Sequence, residues 1–545
     1  MPFTLPLPST LLFHVGFIFA CLLLYAVSTH VNAQRRHPSA AMAWVITIVL
    51  IPYVALPLYL LVGNRKIARP PRRHKPPKDT RDSALGSPGD WAIDTIEGMG
   101  LGAPVGNTEV RFHEDGSEAW QELARVICAA EHRLDICIYV FGHKEAARRI
   151  SQLLQERAAA GVRVRLLLDT FGSWSASRPM LRQLRAGGVG VRWFMPLIDK
   201  PQPGRLNMRN HRKIVVADGT LLWSGGRNIA IEYFFGNDDA PAWLDLSFTV
   251  EGPLAKAAQQ LFAEHWRHGR APLVALLLPR RTRRLAMAAA RASAATRAEA
   301  DAAVANAGPG NALAAVANGT VADASAKRAA APGGAENAYL PGSDGAARRA
   351  GGATPTPGRE ASSTTGLAHV TQLVPSGPDQ AEDTVYALLL TAMFRARDRV
   401  LAVTPYFVPD DALLKAMRLA AQRGVRVELI VPLRSNHWLA DISRNRALHD
   451  LAAAGAHVRL MPRMVHAKAV VIDDTVALAG SVNLDSRSLF LSFEMMIAFY
   501  SPGDIDTVTH WIQRNFAEAE PYRLRQRSLA REIGEGLVRW LGFQI

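Results

Sequence analysis

Cysteine is scarce in this chain, with three residues among 545, at positions 21, 128 and 137. Three cysteines cannot build a disulfide framework, and none of them stands at a zinc-ligand spacing from a histidine. Acidic residues are also in deficit: 48 Asp and Glu face 63 Lys and Arg, so the formal net charge is +15. That surplus favours an anionic partner and leaves nucleic acid, anionic lipid and a phosphate-bearing substrate open. Because 49% of the residues are hydrophobic, a wholly disordered chain is excluded.

Charge is absent from two apolar runs near the N-terminus, residues 11–27 and 44–62. A membrane-crossing helix needs about 20 apolar residues, so the second run qualifies and the first is marginal. A cleaved signal peptide is the alternative for the first run, but residues 1–10 lack the Lys or Arg that such a peptide carries. We therefore predict a two-helix transmembrane hairpin over residues 1–64, kinked at Pro52 and Pro57.

Basic residues then gather just after the second run. Seven Lys and Arg lie between positions 65 and 78, against two between the runs. Since the more basic flank of a membrane helix stays in the cytoplasm, the rest of the chain is expected to be cytoplasmic. We interpret residues 65–105 as a basic linker that suits the anionic surface of that leaflet.

Past residue 105, strand-like and helical segments alternate, which indicates an α/β layered domain. Strands are predicted over 133–141, 162–169 and 190–195, with helices over 144–159 and 179–186, and Ser177 is a candidate N-cap. Three segments then recur in order: 159–169 resembles 421–431, 186–196 resembles 451–462, and 210–229 resembles 465–484. This predicts two copies of one unit, residues 106–275 and 369–545, separated by a flexible insertion at 276–368 that is rich in Ala, Gly, Ser and Pro.

Each copy carries one His-x-Lys-x4-Asp motif. The residues are His211, Lys213 and Asp218 in the first copy and His466, Lys468 and Asp473 in the second. The run before each Asp is wholly apolar, as in a buried strand, and residues i and i+2 of a strand share a face. Each His is therefore expected to project with its Lys. The Asp has opposite parity and falls at a turn, where it orients backbone or a neighbour. We take all six as the candidate catalytic set.

The correspondence continues downstream of both motifs. Asn228 and Asn483 each follow their His by 17 residues, and Gly225-Gly226 aligns with Gly480-Ser481. Asn228, Asn483 and Ser481 are thus predicted to support phosphate binding, and two such sets facing each other would stabilise a pentacoordinate phosphorus. Two His and two Asp also suggest a metal site. A Lys beside each His would repel a cation, so we predict no metal and no cofactor.

Several segments of the chain resemble the phospholipase D superfamily and, within it, the bacterial cardiolipin synthases. These are "NMRNHRKIVVADG" at 207–219, "GGRNIAIEY" at 225–233, "SGPD" at 376–379, "HAKAVVIDD" at 466–474 and "GSVNLDSRS" at 480–488. The resemblance covers both copies and the N-terminal apolar runs, but not the insertion. It implies two duplicated phospholipase D-like sandwich domains, each a mixed sheet flanked by helices, behind the transmembrane hairpin.

The resemblance also implies an activity. One His would attack the phosphorus of phosphatidylglycerol to give a phosphohistidine, and the other would act as general acid and then general base. A downstream acid in each half would orient the imidazole of that half: Asp245, 34 residues after His211, and Glu494, 28 residues after His466. The protein would sit in the bacterial inner membrane, with multiple passes and without nucleic acid. The alternatives are a phospholipase D hydrolase, transfer to another alcohol, a superfamily nuclease, and a lipid-binding scaffold without catalysis.

Overall fold

The structure is a computed structural model that describes residues 9–31, 38–63, 66, 90–142, 145–195, 207–236, 240–268 and 369–524. The predicted insertion at 276–368 lies outside the described residues, as does the C-terminal segment 525–545. Most of the basic cluster after the second apolar run lies outside them too, with Lys66 as the exception.

Helices and strands alternate along most of the described chain. The helices are α1 Ser9–Val31, α2 Pro38–Leu50, α3 Pro52–Val62, α4 Asp90–Gly98, α5 Gly116–Cys128, α6 Glu145–Ala159, α7 Arg178–Ala186, α8 Pro253–His268, α9 Thr384–Arg395, α10 Asp411–Gln422, α11 Trp438–Ala453, α12 Ser486–Phe490 and α13 Pro502–Glu518. The strands are β1 Val105–Asn107, β2 Glu109–His113, β3 Arg133–Ile138, β4 Arg163–Asp169, β5 Gly190–Phe194, β6 Ile214–Ala217, β7 Leu221–Gly225, β8 Ser247–Glu251, β9 His369–Ser376, β10 Arg399–Val403, β11 Phe407–Val408, β12 Arg426–Pro432, β13 His457–Met461, β14 Ala469–Ile472, β15 Val476–Gly480, β16 Leu484–Asp485, β17 Glu494–Phe499 and β18 Glu520–Pro521. The elements predicted over 133–195 are all present, and the Ser177 side chain accepts a hydrogen bond from Met180 N as the N-cap of α7.

The duplication is visible in the order of the strands. The first sheet runs β2-β8-β7-β6-β3-β4-β5, and the second runs β9-β17-β15-β14-β10-β12-β13 with β1 and β18 added at its edges. Within each, one group of three strands is parallel (β3-β4-β5 and β10-β12-β13) and the remaining pairings are antiparallel. The two copies therefore share a mixed-sheet topology, as their repeated segments predicted.

The two sheets enclose a shared apolar core. Helices α8 and α13 lie between them, and the buried side chains of this layer come from both copies, including Phe248, Phe262, Phe499 and Trp511. A second cluster packs α5, α6 and α7 on the outer face of the first sheet, and a third packs α4, α9, α10 and α11 on that of the second. Because the copies share one core, their facing edges are fixed relative to each other.

The structure differs from the prediction on which of the two N-terminal apolar runs forms the longer helix. The first run is continuous as α1, about 35 Å long at 1.5 Å per residue, and over Leu11–Thr29 it is apolar and long enough to cross a bilayer. The second run is divided at Ile51, because Pro52 has no N–H to continue the helix, whereas Pro57 stays inside α3. We expected the second run to be the better membrane span. That expectation was wrong, because the first run forms the uninterrupted helix of sufficient length.

Aromatic contacts hold these helices together. Trp44 and Tyr59 meet edge to face at 5.2 Å between ring centroids, and so do Tyr25 and Tyr59. Hydrogen bonds from Ile51 N to Thr47 O and from Ala55 N to Ile51 O bridge the break between α2 and α3. Helix α1 therefore packs against α2 and α3 as one apolar bundle.

The predicted boundary at residue 105 was wrong, because the end of the supposed linker belongs to the second copy. Helix α4 buries Ala92 and Ile96 in the outer core of that copy. Strand β1 pairs antiparallel with β9, from Val105 opposite Thr371 to Asn107 opposite His369. An exposed edge strand is a site of unwanted pairing, and β1 covers the edge of β9. The chain thus adds an edge strand to the second sheet before it enters the first sheet.

Candidate active site

Each His-x-Lys motif lies just before a fully buried strand. Strand β6 follows Lys213 and pairs antiparallel with β3, and β14 follows Lys468 and pairs antiparallel with β10. Both strands are apolar and buried on both faces, so the polar His and Lys fall at the strand end, where the sheet gives way to loops. We call this end of each sheet the catalytic edge.

Backbone hydrogen bonds join the catalytic edges of the two copies. His211 N donates to Phe493 O at 2.9 Å, and Phe493 N donates to Arg209 O at 2.8 Å. At the corresponding place in the other copy, His466 N donates to Leu244 O at 2.7 Å and Leu244 N donates to Met464 O at 2.8 Å. Each histidine segment is therefore fixed on a segment of the opposite copy that immediately precedes an acid.

The acid–histidine contacts at these bridges run between the two copies, not within each copy. His466 Nδ1 lies 2.7 Å from Asp245 Oδ2, and His211 Nδ1 lies 3.0 Å from Glu494 Oε1. The expectation that each acid orients the histidine of its own half was therefore wrong, although both acids do contact an imidazole. Three of the four side chains are buried, and His211 is partly open at 14% exposed. Because both Nδ1 atoms face a carboxylate, Nε2 of each ring is left to meet a substrate.

Burial and the neighbouring cations keep both imidazoles neutral. Burial lowers the pKa of His466 to about 3, with Lys468 acting in the same direction and Asp245 opposing it. Burial also lowers the pKa of His211, which Glu494 partly offsets. Each motif's lysine further lowers the pKa of the other motif's histidine, which indicates that both motifs share one electrostatic environment.

The two lysines are buried and close enough for Lys213 to lower the pKa of Lys468. Burial lowers the pKa of Lys213 to about 8 and that of Lys468 to about 7. Lys213 Nζ donates to His211 O at 2.6 Å, and Lys468 Nζ donates to the His466 carbonyl. An ammonium has three protons, so each lysine keeps donors for a phosphate oxygen. The short contact of Asp245 fixes His466 Nδ1 as a donor, so Lys468, 2.9 Å from that nitrogen, acts on it through charge.

The motif aspartates lie at the far ends of β6 and β14, away from the histidines. Asp218 accepts hydrogen bonds from the backbone N–H groups of residues 131, 132 and 133, and Asp473 from those of 397, 398 and 399. Both adopt left-handed backbone, with φ of 51° and 48°, which Asp tolerates in a turn. Their inclusion in the catalytic set is corrected: they fasten the start of β3 and β10 and do not touch the imidazoles, as their strand parity indicated.

The small residues after β7 and β15 make room for the acids. A Cβ on Gly226 would stand 2.1 Å from Asp245 Oδ1, so only glycine fits beside that carboxylate. In the second copy, Ser481 takes the place of Gly226 and its Oγ donates to Glu494 Oε2 at 2.5 Å. Glu is one methylene longer than Asp, and the hydroxyl holds its carboxylate in position. In this structure, Ser481 therefore serves the orienting acid.

The two motif asparagines have different surroundings. Asn228 Oδ1 accepts from Val140 N at 3.1 Å, and its Nδ2 donates to the Tyr233 hydroxyl at 3.0 Å. Asn483 is 5% exposed, and its Oδ1 has no hydrogen-bond partner within the described part of the chain. Asn228 thus positions a neighbouring ring, whereas Asn483 has an unused polar atom.

Two tyrosines that the sequence did not single out pack against the imidazoles. Tyr139 lies edge-on to His211 with 4.8 Å between ring centroids, and Tyr233 lies edge-on to His466 at 4.9 Å. Burial raises the pKa of Tyr139 to about 12, so its hydroxyl stays protonated. Tyr139 directly follows β3, and Tyr233 lies within "GGRNIAIEY". These positions close to the motifs are the sequence signal that could have identified both tyrosines.

A buried arginine ties the first motif to the second copy. Arg212 donates to both carboxylate oxygens of Asp379, at 2.9 and 3.1 Å, and its Nε donates to Glu494 O at 2.7 Å. Asp379 also meets His265 Nε2 at 3.0 Å. Although burial alone would raise the pKa of Asp379, Arg212 and His265 hold it well below the usual range. The "SGPD" segment thus supports the backbone of the acid that orients His211.

Among the described residues, no group of three or more His, Cys, Asp or Glu is placed to hold a metal ion. The acids nearest the histidines are engaged by imidazole nitrogens, and two ammonium groups stand beside them. The absence of a metal requirement stays a prediction.

Comparison with known proteins gives two family matches. Residues 123–266 and 389–519 match the family described as "Cardiolipin synthase, PLD-like domain", and residues 21–64 match "Phospholipase_D-nuclease N-terminal". Cardiolipin synthase A of Pseudomonas aeruginosa is 26% identical over 528 residues, which cover 93% of this chain and 91% of that protein. Cardiolipin synthase 1 of Bacillus cereus is 23% identical over 535 residues, which cover 95% and 91%.

Among solved structures, the fold is similar to that of phosphatidylserine synthase from Haemophilus influenzae Rd KW20. The TM-score is 0.52 at 14% sequence identity, over 84% of this chain and 97% of that one. At this identity the similarity is one of fold, and it covers both copies of the duplicated unit.

Proposed function

Because the chain belongs to the phospholipase D-like family of cardiolipin synthases, as its motifs predicted, we propose that it joins two phosphatidylglycerols into cardiolipin and releases glycerol. One observation carries the proposal: two imidazoles with crossed carboxylate partners, each beside a buried lysine, in one site. Phosphatidyl transfer needs a nucleophile and a proton carrier at one phosphorus, and two such imidazoles supply both.

In the first step, Nε2 of one neutral imidazole attacks the phosphorus of the first phosphatidylglycerol. The N–P bond forms, the bond from phosphorus to the head-group glycerol oxygen breaks, and the protonated second imidazole gives its Nε2 proton to that oxygen. Glycerol leaves, and the phosphatidyl group remains on the enzyme as a phosphohistidine. The Nδ1 contacts with Glu494 and Asp245 support this assignment, because they keep both Nε2 atoms directed away from the acids.

In the second step, the now neutral second imidazole takes the proton of a glycerol hydroxyl on another phosphatidylglycerol. That oxygen attacks phosphorus, the N–P bond breaks, and cardiolipin forms with both imidazoles restored. Lys213 and Lys468 hold the non-bridging oxygens through both steps, where the equatorial charge develops. The anionic substrate in turn favours the protonated forms of the lysines and of the acid imidazole.

The membrane arrangement is part of the proposal. Helix α1 and the broken pair α2–α3 form a two-pass hairpin in the bacterial inner membrane, and the catalytic body lies on the cytoplasmic side. Length and composition of α1 support the first pass, and α2 with α3 covers a comparable length interrupted at one residue. The basic residues that follow support the orientation.

The test is turnover by the purified full chain in mixed micelles with phosphatidylglycerol, with the lipid products resolved by mass spectrometry. Cardiolipin and free glycerol in equal amounts are expected. Phosphatidic acid as the main product would instead indicate water as acceptor, exchange of an added alcohol would indicate another transferase, and no reaction would overturn the proposal.

Matched variants connect the activity to the site. His211→Ala and His466→Ala should each abolish transfer, because neither step proceeds without both imidazoles. His510→Ala is the control, since His510 is exposed on α13 and, among the described residues, its ring bonds to the Asp506 carbonyl of the same helix. Turnover by either catalytic-site variant at the parent rate would contradict the assignment.

A further inference from the structure

Two loops carry an unusual share of the apolar surface of the catalytic body. Among the residues described after position 66, ten large apolar side chains are exposed, and five of them lie in these loops. The first rim loop is residues 170–178, with Phe171 at 63% and Trp174 at 65% exposed. The second rim loop is residues 433–439, of which the last two begin α11, and it carries Leu433, Leu439 and Trp438, which is 68% exposed. Exposed Trp and Phe on a soluble surface mark a surface that contacts something apolar.

Both rim loops lie at the catalytic edge of their sheets. The first follows β4, which is parallel to β3, and the second follows β12, which is parallel to β10. Strands β3 and β10 end beside the starts of β6 and β14, which the catalytic histidines precede. The corresponding loops of the two copies therefore flank the active site from opposite sides.

Hydrogen bonds connect the first rim loop firmly to the catalytic segment. One oxygen of Asp169 accepts from Phe171 N at 2.9 Å and Gly172 N at 3.0 Å, and the other accepts from Asn210 N, next to His211, at 2.8 Å. Ser173 Oγ donates to the backbone oxygen of Tyr139, whose ring packs on His211. The exposed aromatics therefore stand on a loop that is fixed to the site.

The second rim loop is tied to its own catalytic edge in the same way. The Tyr406 hydroxyl donates to Asn436 Oδ1 at 2.6 Å, and the Tyr406 ring meets His437 at 5.4 Å between centroids. Ser435 N donates to Asp441 Oδ2 at 2.9 Å, which draws that acid back toward the loop backbone.

The membrane anchor reaches the body at this same edge. Lys66, which closely follows α3, donates to the backbone oxygens of Gly377, Gln380 and Glu382 and pairs with Asp383 at 2.8 Å. That segment begins where β9 ends, and Ser376, the last residue of β9, is opposite Glu494. The chain thus leaves the anchor on the side of the protein that carries the active site and the rim loops.

The charge of the rim loops fits an anionic lipid surface. Each contains one exposed arginine, Arg178 in the first and Arg434 in the second, and neither contains Asp or Glu. Tryptophan beside arginine is the composition of protein segments that lie at the boundary between lipid head groups and acyl chains.

We propose that the two rim loops insert their aromatic side chains into the bilayer interface on both sides of the active site. The active site is then seated on the membrane, and a phospholipid head group reaches the histidines while its acyl chains stay in the lipid. The inference rests on the proposed function for its lipid substrate but concerns how the enzyme meets that substrate.

The first experiment measures insertion directly. The full chain is reconstituted in phosphatidylglycerol vesicles whose acyl chains carry bromine, which quenches tryptophan fluorescence at short range. The chain has 11 tryptophans, so the comparison is between the parent and W174F/W438F. The quenchable fraction should fall in the variant while its activity is retained, because Phe keeps the apolar contact. An unchanged quenchable fraction would overturn the proposal.

The second experiment separates docking from chemistry. W174S/W438S should be about tenfold or more slower on bilayer phosphatidylglycerol, since losing one buried large apolar side chain is worth about that factor. On short-chain phosphatidylglycerol below its micelle concentration it should stay within about twofold of the parent. Phe394→Ser is the matched control: Phe394 is 61% exposed on α9, which precedes β10 and so lies at the other edge.

The outcomes remain distinguishable. Equal losses on bilayer and monomeric substrate would assign the tryptophans to the site itself and overturn the rim proposal. A change of oligomeric state in detergent, by light scattering, without loss of bilayer activity would make the rim a protein interface and also overturn it. If the parent turns over no phosphatidylglycerol in either form, the proposed function fails, while the quenching result still decides the rim.

Discussion

The crossed pairing of acids and histidines can be measured as a coupling free energy. The perturbation is a double-mutant cycle on unfolding, with Asp245→Ala and His466→Ala singly and together. Removing either partner alone leaves a buried group unsatisfied: the carboxylate loses the imidazole N–H at 2.7 Å, or the Nδ1 proton loses its acceptor. Removing both takes away the pair and most of that penalty, so the two single effects should not add.

The size of the coupling free energy follows from the protonation states of Asp245 and His466. His466 is neutral at pH 7 because its pKa is lowered to about 3, so the contact is a hydrogen bond from a neutral imidazole to a buried carboxylate. Although burial would raise the pKa of Asp245, His466 and Lys468 hold it below its ordinary value, so it is ionised. A hydrogen bond to a charged group contributes about 1.5–3 kcal/mol. We therefore expect a coupling of about 2 kcal/mol for Asp245 with His466.

The assay is denaturant unfolding of the full chain in detergent, followed by circular dichroism, and the matched control is the pair within one half. Asp245 with His211 should couple by less than about 0.5 kcal/mol, as should Glu494 with His466, whereas Glu494 with His211 should couple like the first pair. Larger coupling within the halves than between them would refute the crossed arrangement. In activity, Asp245→Asn should reduce turnover by about 10⁴-fold through loss of the imidazole tautomer.

Five further predictions follow from individual contacts and from the sequence. Buried Lys468 and Lys213 have pKa values of about 7 and 8, so their ammonium forms are lost as pH rises. The KM for phosphatidylglycerol in initial-rate assays should therefore increase above about pH 7. Lys468→Arg should move that increase to higher pH. Asp379→Asn leaves Arg212 buried without its carboxylate and should lower the free energy of unfolding by about 3–5 kcal/mol. Because the pKa of Asp379 is lowered, its contribution to stability is complete above about pH 5 and is lost as pH falls. The stability of the variant should therefore depend less on pH below 5 than that of the parent, and an equal acid dependence would contradict this. Lys66→Ala should leave micelle activity near that of the parent but increase proteolysis around residues 377–383, where three carbonyls lose their donor; an unchanged cleavage pattern would argue against the tie. Deleting residues 290–360 behind a Gly/Ser bridge, and separately adding a strong chelator, should each leave turnover unchanged, and recovery of a lost rate by one divalent ion alone would reverse the metal-free assignment.

Much of the architecture could be predicted from residues close together in the sequence. Strands β6 and β14 follow from four apolar residues between a His-x-Lys and an Asp, and the parity rule correctly separated Asp218 from His211 of the same motif. The duplicated order of segments indicated that the two sheets would share a topology. These are local or repeated patterns, and periodicity and composition are sufficient to read them.

Local patterns were less reliable where one backbone position or an edge decides the outcome. The second apolar run has the composition of a span, but Pro52 interrupts it at Ile51 because one hydrogen-bond donor is missing. Strand β1 looked like the end of a linker, since nothing near it in sequence shows that β9, more than 260 residues later, has an open edge.

The sequence by itself determined the chemical groups of this protein: two imidazoles, two ammonium groups and two acids, placed at strand ends by apolar runs. Only the tertiary structure decided which acid serves which histidine. Asp245 and Glu494 follow Leu244 and Phe493, and those residues bridge to the opposite copy because the two sheets close on one shared core. Spacing along the chain fixes what lies on one strand, but contacts between copies depend on how two sheets pack, and 221 or 283 residues of separation leave no local pattern.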